Sequence, residues 1–389
     1  MSTAIVPLRA IYRRIEEKDR SDLPLLSVYR ELGVVPREGR DDNHNVASED
    51  LSTYKVVWPG DLVLNKMKTW QGSLGISAYH GIVSPAYFVG RRIANVEDRF
   101  MHHLLRSAPL IAEYGARSKG IRPGQWDLAW DEFASIKVHL PARERQTAIA
   151  DYLDMETAHL DALISKKQRM VELLDERHDA FIDAQVARFS ESIPIKRVAK
   201  VRYGLGQPPE TSEAGVPILR ATNIDRGSIT AADMIFADAA VIPWDRCPPL
   251  EVGEILVVRS GALTGDSAII NEEWVGSAPG YDLRLTPQSI FPAFLAFQLL
   301  GGQAFRQIEL VRGRAAQPHL NAEDLGEVMV KRGTPSEEQR VAQVLMNATR
   351  TKNEISGRLS QQLHLLGERR RALITAAVTG QLDIPEVAA

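Results

Sequence analysis

The chain has 389 residues, a length that fits two or three domains, and a formal net charge of −3 that by itself does not indicate a nucleic-acid-binding protein. Charged residues make up 25% and hydrophobic residues 44%, which argues against a disordered chain, and no apolar run approaches the roughly 18 residues of a membrane span. The single cysteine, Cys247, excludes an internal disulfide and a cysteine-rich metal site, so we expect a cytoplasmic protein.

In chain order, the first predicted element is a mixed globule over residues 1–140, with short β-rich runs separated by glycine and proline. Residues 141–192 follow as a long helix, because glycine and proline nearly vanish and apolar residues recur at spacings of three and four. A second globule covers residues 193–334, and a second long helix with a C-terminal tail covers 335–389. Ser336 and Gln339 predict a capping box at the start of the second helix.

The second half of the sequence repeats the first at a nearly constant offset of about half the chain length. The run 60–64 returns as 253–257, Gly72 corresponds to Gly265, and the helical run 173–186 returns as 365–378. A collinear series of matches at a nearly constant offset indicates an internal duplication.

Each long helix has a narrow apolar seam that is interrupted by charged residues, so neither helix is expected to be stable alone. The seam residues that we expect to bind other helices or partner subunits are Leu153, Leu160, Leu163 and Met170 in the first helix and Leu345, Ile355, Leu359 and Leu366 in the second. The order globule, helix, globule, helix lets the two helices pair antiparallel. The alternative is that each helix packs separately on its own globule.

The predicted fold class is therefore α+β, with two duplicated mixed α/β globules separated by two long helices that form an antiparallel coiled coil.

The first globule carries a local excess of positive charge. Between Lys66 and Trp126 there are nine Lys and Arg residues against three acids, with tryptophan, tyrosine and glutamine interleaved. Cations suit phosphates, and flat side chains with several donors suit base edges. The candidate DNA-binding residues here are Lys66, Lys68, Trp70, Gln71, Tyr87, Arg91, Lys119, Arg122 and Gln125.

Charge does not distinguish the second globule, because residues 256–321 balance five arginines against five acids. Its loops combine glycine with hydrogen-bond donors, as a loop inserted into DNA would. The candidate DNA-binding residues here are Arg259, Ser260, Thr264, Arg312, Arg314, Gln317 and Asn321.

Several catalytic motifs are missing from the sequence. There is no Asn/Asp-Pro-Pro-Tyr/Phe tetrapeptide of an amino-methyltransferase and no phosphate-binding loop of an ATPase. Proline after Gly204 and Gly206 is incompatible with a dinucleotide-binding helix start, and His102 and His103 lack a third ligand at metal spacing. We therefore predict no catalytic residue, no metal and no cofactor bound by this chain.

A family resemblance rests on three stretches. They are KMKTWQG at 66–72 with GIVSPAY at 81–87, the run from Arg145 to Asp154, and the helix end from Glu368 to Asp383. Together they resemble the specificity subunit of type I restriction-modification systems, over essentially the whole chain.

The resemblance implies that each globule is a target-recognition domain that reads one half of a bipartite sequence in double-stranded DNA. It also implies two modification (methyltransferase) subunits as partners, with S-adenosylmethionine bound by those subunits. A restriction subunit, an ATP-dependent nuclease and translocase that uses ATP and Mg, is a further implied partner. Because the loops of the two globules differ, the two half-sites should differ.

Two other functions compete with this interpretation. One is an enzyme with an unrecognised hydrolase site in one globule, which activity of the isolated chain would reveal. The other is a purely structural coiled-coil spacer, which the size of the globules and their basic loops disfavour.

Overall fold

The computed structural model describes residues 4–30, 32–37, 50–120, 126–207, 209–312 and 319–385. The chain divides into two compact units, one formed by Met1–Lys167 with Gln361–Ala389 and the other by Gln168–Ser360. The domain boundaries predicted from the sequence separate each globule from the long helix that follows it. The compact units differ because each globule also packs on half of each long helix.

The first unit contains ten short strands and the first four helices among its described residues. The strands are β1 Ala4–Pro7, β2 Tyr12–Ile15, β3 Leu26–Tyr29, β4 Gly33–Pro36, β5 Lys55–Val57, β6 Leu62–Asn65, β7 Leu74–Ile76, β8 Gly81–Val83, β9 Tyr87–Arg92 and β10 Lys137–Leu140. The helices are α1 Asp98–Leu105, α2 Ala108–Arg117, α3 Trp130–Ser135 and α4 Arg143–Val186, the last of which continues into the second unit.

The second unit has the same succession of elements with more short strands. The strands are β11 Glu191–Pro194, β12 Ala199–Tyr203, β13 Thr211–Ser212, β14 Val216–Leu219, β15 Ile224–Asp225, β16 Ser228–Ile229, β17 Ile235–Ala237, β18 Ile255–Val257, β19 Ser267–Ile269, β20 Ala278–Pro279, β21 Leu283–Pro287 and β22 Met329–Arg332. The helices are α5 Pro292–Leu300, α6 Gly302–Arg312, α7 Ala322–Glu327 and α8 Pro335–Val378.

The sheets follow the sequence repeat. An antiparallel sheet of order β2-β9-β6-β7 in the first unit matches β12-β21-β18-β19 in the second. The register agrees as well, since Leu62 opposes Ile76 and its counterpart in the repeat, Ile255, opposes Ile269. In each unit the first strand pairs with the strand before the long helix, β1 with β10 and β11 with β22. The predicted duplication is therefore present in the fold.

Each globule completes its core with parts of both long helices. In the first unit Leu153 of α4 and Val378 of α8 join the cluster around Phe100. In the second unit Ile182 of α4 and Leu345 of α8 join the cluster around Phe294. The parts of the seams near the helix ends are buried this way, which explains how helices with little apolar surface are stabilised.

The long helices run antiparallel and pack against each other, as predicted. In the first unit Asp161 of α4 accepts a hydrogen bond from Arg370 of α8 at 2.8 Å. In the second unit the carboxylate of Asp175 of α4 lies 2.7 Å from Nζ of Lys352 of α8. From the first contact to the second, the residue number rises along α4 and falls along α8, so the helices are antiparallel. Each helix has 44 residues, which corresponds to about 66 Å. None of the helices in the described ranges is long and apolar enough to cross a membrane.

The predicted capping box at the start of α8 is two residues out of place. Thr334, not Ser336, caps the helix: its Oγ1 and backbone N–H hydrogen-bond to Glu337 Oε2 at 2.6 and 3.0 Å. Pro335 occupies the first helical position, where a missing N–H costs nothing, so the cap belongs one residue before the proline.

Candidate nucleic-acid interface

A loop follows the equivalent strands β6 and β18 in the two units, and the two loops hold seven of the sixteen predicted DNA-binding residues. Lys66 is the first residue after β6, and its counterpart in the repeat, Arg259, holds the equivalent position after β18. The backbone carbonyl of Lys66 accepts a hydrogen bond at 3.0 Å from the N–H of Leu128, just before α3. The backbone carbonyl of Arg259 accepts one at 2.8 Å from the N–H of Leu320, just before α7. The same frame therefore supports both loops.

Glycine at one position in each loop is required by the backbone. Gly72 and Gly265 are equivalent and have φ values of 91° and 99°, in the left-handed region that a residue with a Cβ rarely adopts. A Cβ at either position would also come within 3.0 Å of a helix side chain, Ile111 or Ile308. These glycines turn the chain back into β7 and β19.

In the first unit the loop presents cations and paired tryptophan rings. Lys66 Nζ lies 3.2 Å from the carboxylate of Asp127, and the rings of Trp70 and Trp126 pack with centroids 5.1 Å apart. Lys68 is exposed, and the side chain of Lys119 is 83% exposed although it approaches Glu132 at 3.6 Å. Gln71 accepts a hydrogen bond from Arg30 at 2.7 Å.

Two predicted residues of the first globule lie in structural contacts. Tyr87 opposes Asn65 at the start of β9, and its ring packs against a buried cluster, where burial raises its pKa. Arg91 donates to Asp61 at 2.7 Å and lies at the other end of β9, about 16 Å along the strand from Lys66. Tyr87 therefore lies beside the start of the loop, whereas Arg91 lies away from it.

The ion pair of Arg91 recurs in the second unit. Arg284 and Glu254 are the counterparts of Arg91 and Asp61 in the repeat, and Arg284 Nε donates to Glu254 Oε1 at 2.7 Å. The side chains of Arg284 and Glu254 are 6% and 4% exposed. In each unit the carboxylate also accepts the backbone N–H three residues before it, at 2.9 Å. A pair that recurs at equivalent places indicates a structural role for Arg91.

In the second unit Arg259 is held by side chains from three other segments. Its guanidinium carbon lies 4.7 Å from the ring centroid of Tyr203 and 4.3 Å from that of Tyr281. Its Nη2 is 2.7 Å from Nε2 of His319, and its backbone N–H donates to Asp282 at 3.1 Å. We call Tyr203, Arg259, Tyr281 and His319 the arginine stack.

Three members of the arginine stack were not found from the sequence. Tyr203 ends β12, Tyr281 precedes β21 and His319 precedes α7, so only the tertiary fold brings them to Arg259. The repeat aligns His319 with Asp127, but the contact of Asp127 with Lys66 is itself visible only in the fold.

Other predicted residues of the second loop serve the backbone. Ser260 forms an isolated bridge with His319, and the buried Thr264 donates its hydroxyl to the carbonyl of Gly261 at 2.7 Å. Asn321 caps α7 by accepting the backbone N–H of Asp324 at 2.7 Å. Arg122, Gln125, Arg314 and Gln317 lie outside the described residues, as does the side chain of Arg312 at the end of α6.

The predicted partner-binding residues divide into two groups. Leu153, Leu160, Leu345 and Leu359 are buried within their own units and contribute to internal packing. Met170 and Ile355 are exposed, and Leu163 and Leu366 are half-buried. Leu173 and Leu365, which are equivalent in the repeat, are 46% and 53% exposed and were not among the predicted residues.

His102 and His103 lie on α1 and contact neighbouring elements of the first unit. His102 accepts the backbone N–H of Ile76 at 3.4 Å, and burial lowers its pKa to about 3. His103 lies 3.6 Å from Asp154 of α4. Within the described ranges, no group of three or more His, Cys, Asp or Glu side chains is arranged to hold a metal ion.

The second unit has a cavity of about 930 Å³ between its globule and the helices, lined in part by β19. Ala296 and Leu300 line it, and they take the places of His102 and Arg106 when α5 is aligned with α1. The cavity therefore lies where larger polar side chains of the first unit fill the same junction. Several polar side chains of its wall pair with one another, for example Arg226 with Asp179 at 2.9 Å.

A solved structure resembles the chain over nearly its whole length. It belongs to work on the complex assembly and conformational transition of the type I restriction-modification system, and its chain aligns with a TM-score of 0.70 at 14% identity, covering 98% of each chain. This chain therefore has a fold that occurs in a type I restriction-modification system.

Two further structures align over similar lengths with lower TM-scores. The HsdS subunit from Thermoanaerobacter tengcongensis has a TM-score of 0.47 at 15% identity, covering 98% of this chain and 97% of the other. The type I restriction-modification S subunit from M. genitalium has a TM-score of 0.41 at 12% identity, covering 100% and 97%. No family model and no curated protein matches the sequence.

Proposed function

We propose that the chain is the DNA-specificity subunit of a type I restriction-modification complex and has no catalytic site of its own. Each globule would read one half of an asymmetric, interrupted target. The observation that carries this proposal is the equivalence of Lys66 with Arg259. One duplicated frame presents a lysine paired with a carboxylate in one unit and an arginine paired with an imidazole in the other.

In the first globule, the exposed cations Lys68 and Lys119 and the tryptophan pair are the best candidates for DNA contact. Lysine suits phosphates, and aromatic or amide side chains suit bases. Arg122 and Gln125 extend the same run of sequence. In the second globule Arg259 takes the leading role, together with Arg312, Arg314 and Gln317.

The helices would dock two modification subunits, one for each unit. Support comes from the repeat, because Leu173 and Leu365 are exposed at equivalent positions and so are, to a lesser degree, Leu163 and Ile355. S-adenosylmethionine would then be bound by the modification subunits, and ATP and Mg by a restriction subunit where one is present. We place this assembly on DNA in the cytoplasm.

Two globules that read the same side of a duplex should have half-sites about one helical turn apart, roughly 10 bp centre to centre. The test is to express the chain with its modification subunit and to map methylated bases in the host DNA. We expect one interrupted, asymmetric target. Methylation without a consensus, or at a single uninterrupted site, would contradict the proposal.

The rival interpretation, a hydrolase, is tested on the purified chain alone. We expect no nuclease, methyltransferase or ATPase turnover without partner subunits. Turnover that persists through purification and is lost on a point substitution in one globule would favour the hydrolase instead.

A further inference from the structure

The arginine stack holds a guanidinium in a fixed orientation at the surface of the second unit. Tyr203 and Tyr281 are 49% and 45% exposed, and both rings lie within 5 Å of the guanidinium carbon of Arg259. A free arginine side chain has many rotamers, and fixing them costs free energy when it binds. Here the rings and His319 restrict those rotamers before any ligand arrives.

Among the residues that the structure describes, the hydrogen bonds of Arg259 leave donors free at one edge of its guanidinium. Nε is buried, and Nη2 uses one N–H on His319, so the remaining donors are at Nη1 and Nη2. Since a guanidinium only donates, Nε2 of His319 must accept. The partner of Arg259 at this contact is therefore an imidazole, while the buried carboxylate of Asp282 interacts electrostatically with Arg259.

The equivalent lysine in the first unit is arranged differently. Lys66 faces Asp127, whose carboxylate offsets its charge, and an ammonium is a point charge without a fixed plane. Among the residues described, the second unit alone thus combines a flat set of donors with a fixed plane at this position. That combination suits two acceptors in one plane, such as O6 and N7 of guanine in the major groove.

We infer that Arg259 reads a guanine in the half-site of the second globule, with Tyr203, Tyr281 and His319 as positioning residues. The inference rests on the proposed function and adds the identity of one base in the second half-site. A phosphate would also accept two hydrogen bonds from an arginine, but it needs no fixed orientation of the side chain. We therefore favour a base edge and let the experiment decide between the two.

The experiment uses the complete complex of this chain with its modification subunit. Methylation mapping with the wild-type chain first gives both half-sites. Binding is then measured with duplexes that carry the mapped target, with each G·C pair of the second half-site changed to A·T, and with guanine replaced by 7-deazaguanine, which lacks N7. We expect one G·C position at which the change to A·T weakens binding about 5- to 150-fold.

The variant Arg259→Met keeps a side chain of similar length between the rings but removes every donor. It should lose discrimination at that single position and keep the first half-site. Arg197→Met is the matched control, because Arg197 is exposed and precedes β12 at the end of the strand opposite to Tyr203. The control should keep full discrimination.

The positioning role is tested at Tyr281. Tyr281→Leu should reduce discrimination at the same position, and Tyr281→Phe, which keeps the ring, should restore it. A merely structural role would lower stability without selecting one base position.

Three results would overturn the inference. They are a second half-site without a G·C pair, loss of discrimination in Arg259→Met at a position other than G·C, and an equal loss on all duplexes with a shallower salt dependence, as for a phosphate contact. In each case the bipartite target would still stand. Absence of any specific target for the wild-type complex would instead overturn the proposed function along with the inference.

Discussion

Lys66 and Asp127 form an ion pair at the place where, in the other half of the chain, Arg259 and His319 form a hydrogen bond. The Lys66 Nζ lies 3.2 Å from Asp127, and the Arg259 Nη2 lies 2.7 Å from His319. The backbone carbonyls of Lys66 and Arg259 accept equivalent hydrogen bonds, from Leu128 and Leu320, so the two side-chain pairs differ within a shared local frame. If the chain has the proposed function, such a difference would let two copies of one fold bind different DNA.

We predict that Asp127→Asn strengthens DNA binding by the first globule. Removing the carboxylate frees Lys66 for a phosphate and adds one unit of positive charge to the loop. The affinity of the complex should rise, and the slope of log affinity against log salt should steepen by about 0.9. Titrations at several salt concentrations measure both. Glu172→Gln makes the same change of charge on α4, where Glu172 is exposed, and should alter neither; equal effects of the two variants would mean that Lys66 is not at the DNA.

The buried pair of Arg284 and Glu254 predicts a stability effect. Arg284→Met leaves the carboxylate of Glu254 buried without its partner, so the second unit should lose about 3–5 kcal/mol of its free energy of unfolding. Replacing both residues, Arg284→Met with Glu254→Leu, should recover much of that loss. Urea denaturation measures both variants. A double variant as unstable as the single one would show that the pair contributes more than mutual neutralisation.

Arg91→Met tests the same contact in the first unit, where Arg91 is about one-third exposed. Solvent screening reduces the effect there, so the loss should be smaller than for Arg284. The variant should keep its DNA affinity if Arg91 has a structural role. A fall in affinity without a fall in stability would restore Arg91 to the DNA-binding residues.

The sequence predicted the periodic parts of the fold best. The first helix was expected from residue 141 and begins at Arg143, and the second was expected from residue 335 and begins at Pro335. A spacing of three and four that is sustained over 44 residues leaves little ambiguity. The repeat also predicted that the two globules share their strand order, because equivalent runs fold equivalently.

The candidate site was predicted less well, and the reasons are physical. Arg91 is a residue type that often contacts DNA, but its role depends on Asp61. Asp61 lies 30 residues earlier and meets Arg91 only through the pairing of β6 with β9. The arginine stack draws on four segments between Tyr203 and His319. Local patterns such as charge runs and glycine loops identify a loop, whereas the partners of a side chain follow from strand register.

Burial of His102 predicts a pH-dependent stability of the first unit. Its pKa is lowered to about 3, so the unfolded chain binds a proton at this ring below about pH 6.5 while the folded chain does not. The stabilising contribution is complete above that pH and falls by about 1.4 kcal/mol for each pH unit below it, until the folded-state pKa is reached.

His102→Ala, which places the residue of the equivalent position 296 there, should remove this part of the pH dependence between pH 6.5 and 5. Hydrogen exchange of buried amides around Phe100 reports the stability of that unit. The quantity to compare is the slope of the free energy of unfolding against pH, because the substitution also leaves a cavity that lowers stability at every pH. His364→Ala, at an exposed position of α8, should leave the slope unchanged; an unchanged slope in His102→Ala as well would contradict the prediction.

The exposed leucines of the long helices predict where the modification subunits bind. Leu173→Glu and Leu365→Glu should each weaken binding of one modification subunit, and together they should abolish co-purification, because a charge would be buried at each contact. Both globules should remain folded. Leu153→Ala, at a buried position of α4, should instead cost about 2–5 kcal/mol of stability. Normal recovery of both modification subunits with the double variant would exclude this face.

Separate reading of the two half-sites is the consequence of the duplication that is most easily tested. Lys68→Ala with Lys119→Ala removes two exposed cations from the first globule only. If both contact phosphates, the complex should bind all sequences more weakly, and the slope of log affinity against log salt should decrease by about 1.8. The second half-site should be read as before.

Exchanging residues 1–140 for the corresponding globule of another specificity subunit is the stronger form of this test. The exchange ends before α4 begins at Arg143, so the helices and their packing on the second globule stay intact. Methylation mapping of the chimera should show a new first half-site, an unchanged second one and an unchanged spacing, because the helices rather than the globules would set the spacing. A chimera in which both half-sites change would mean that the globules do not read independently, and the equivalence of Lys66 with Arg259 would then have no bearing on the division of the target.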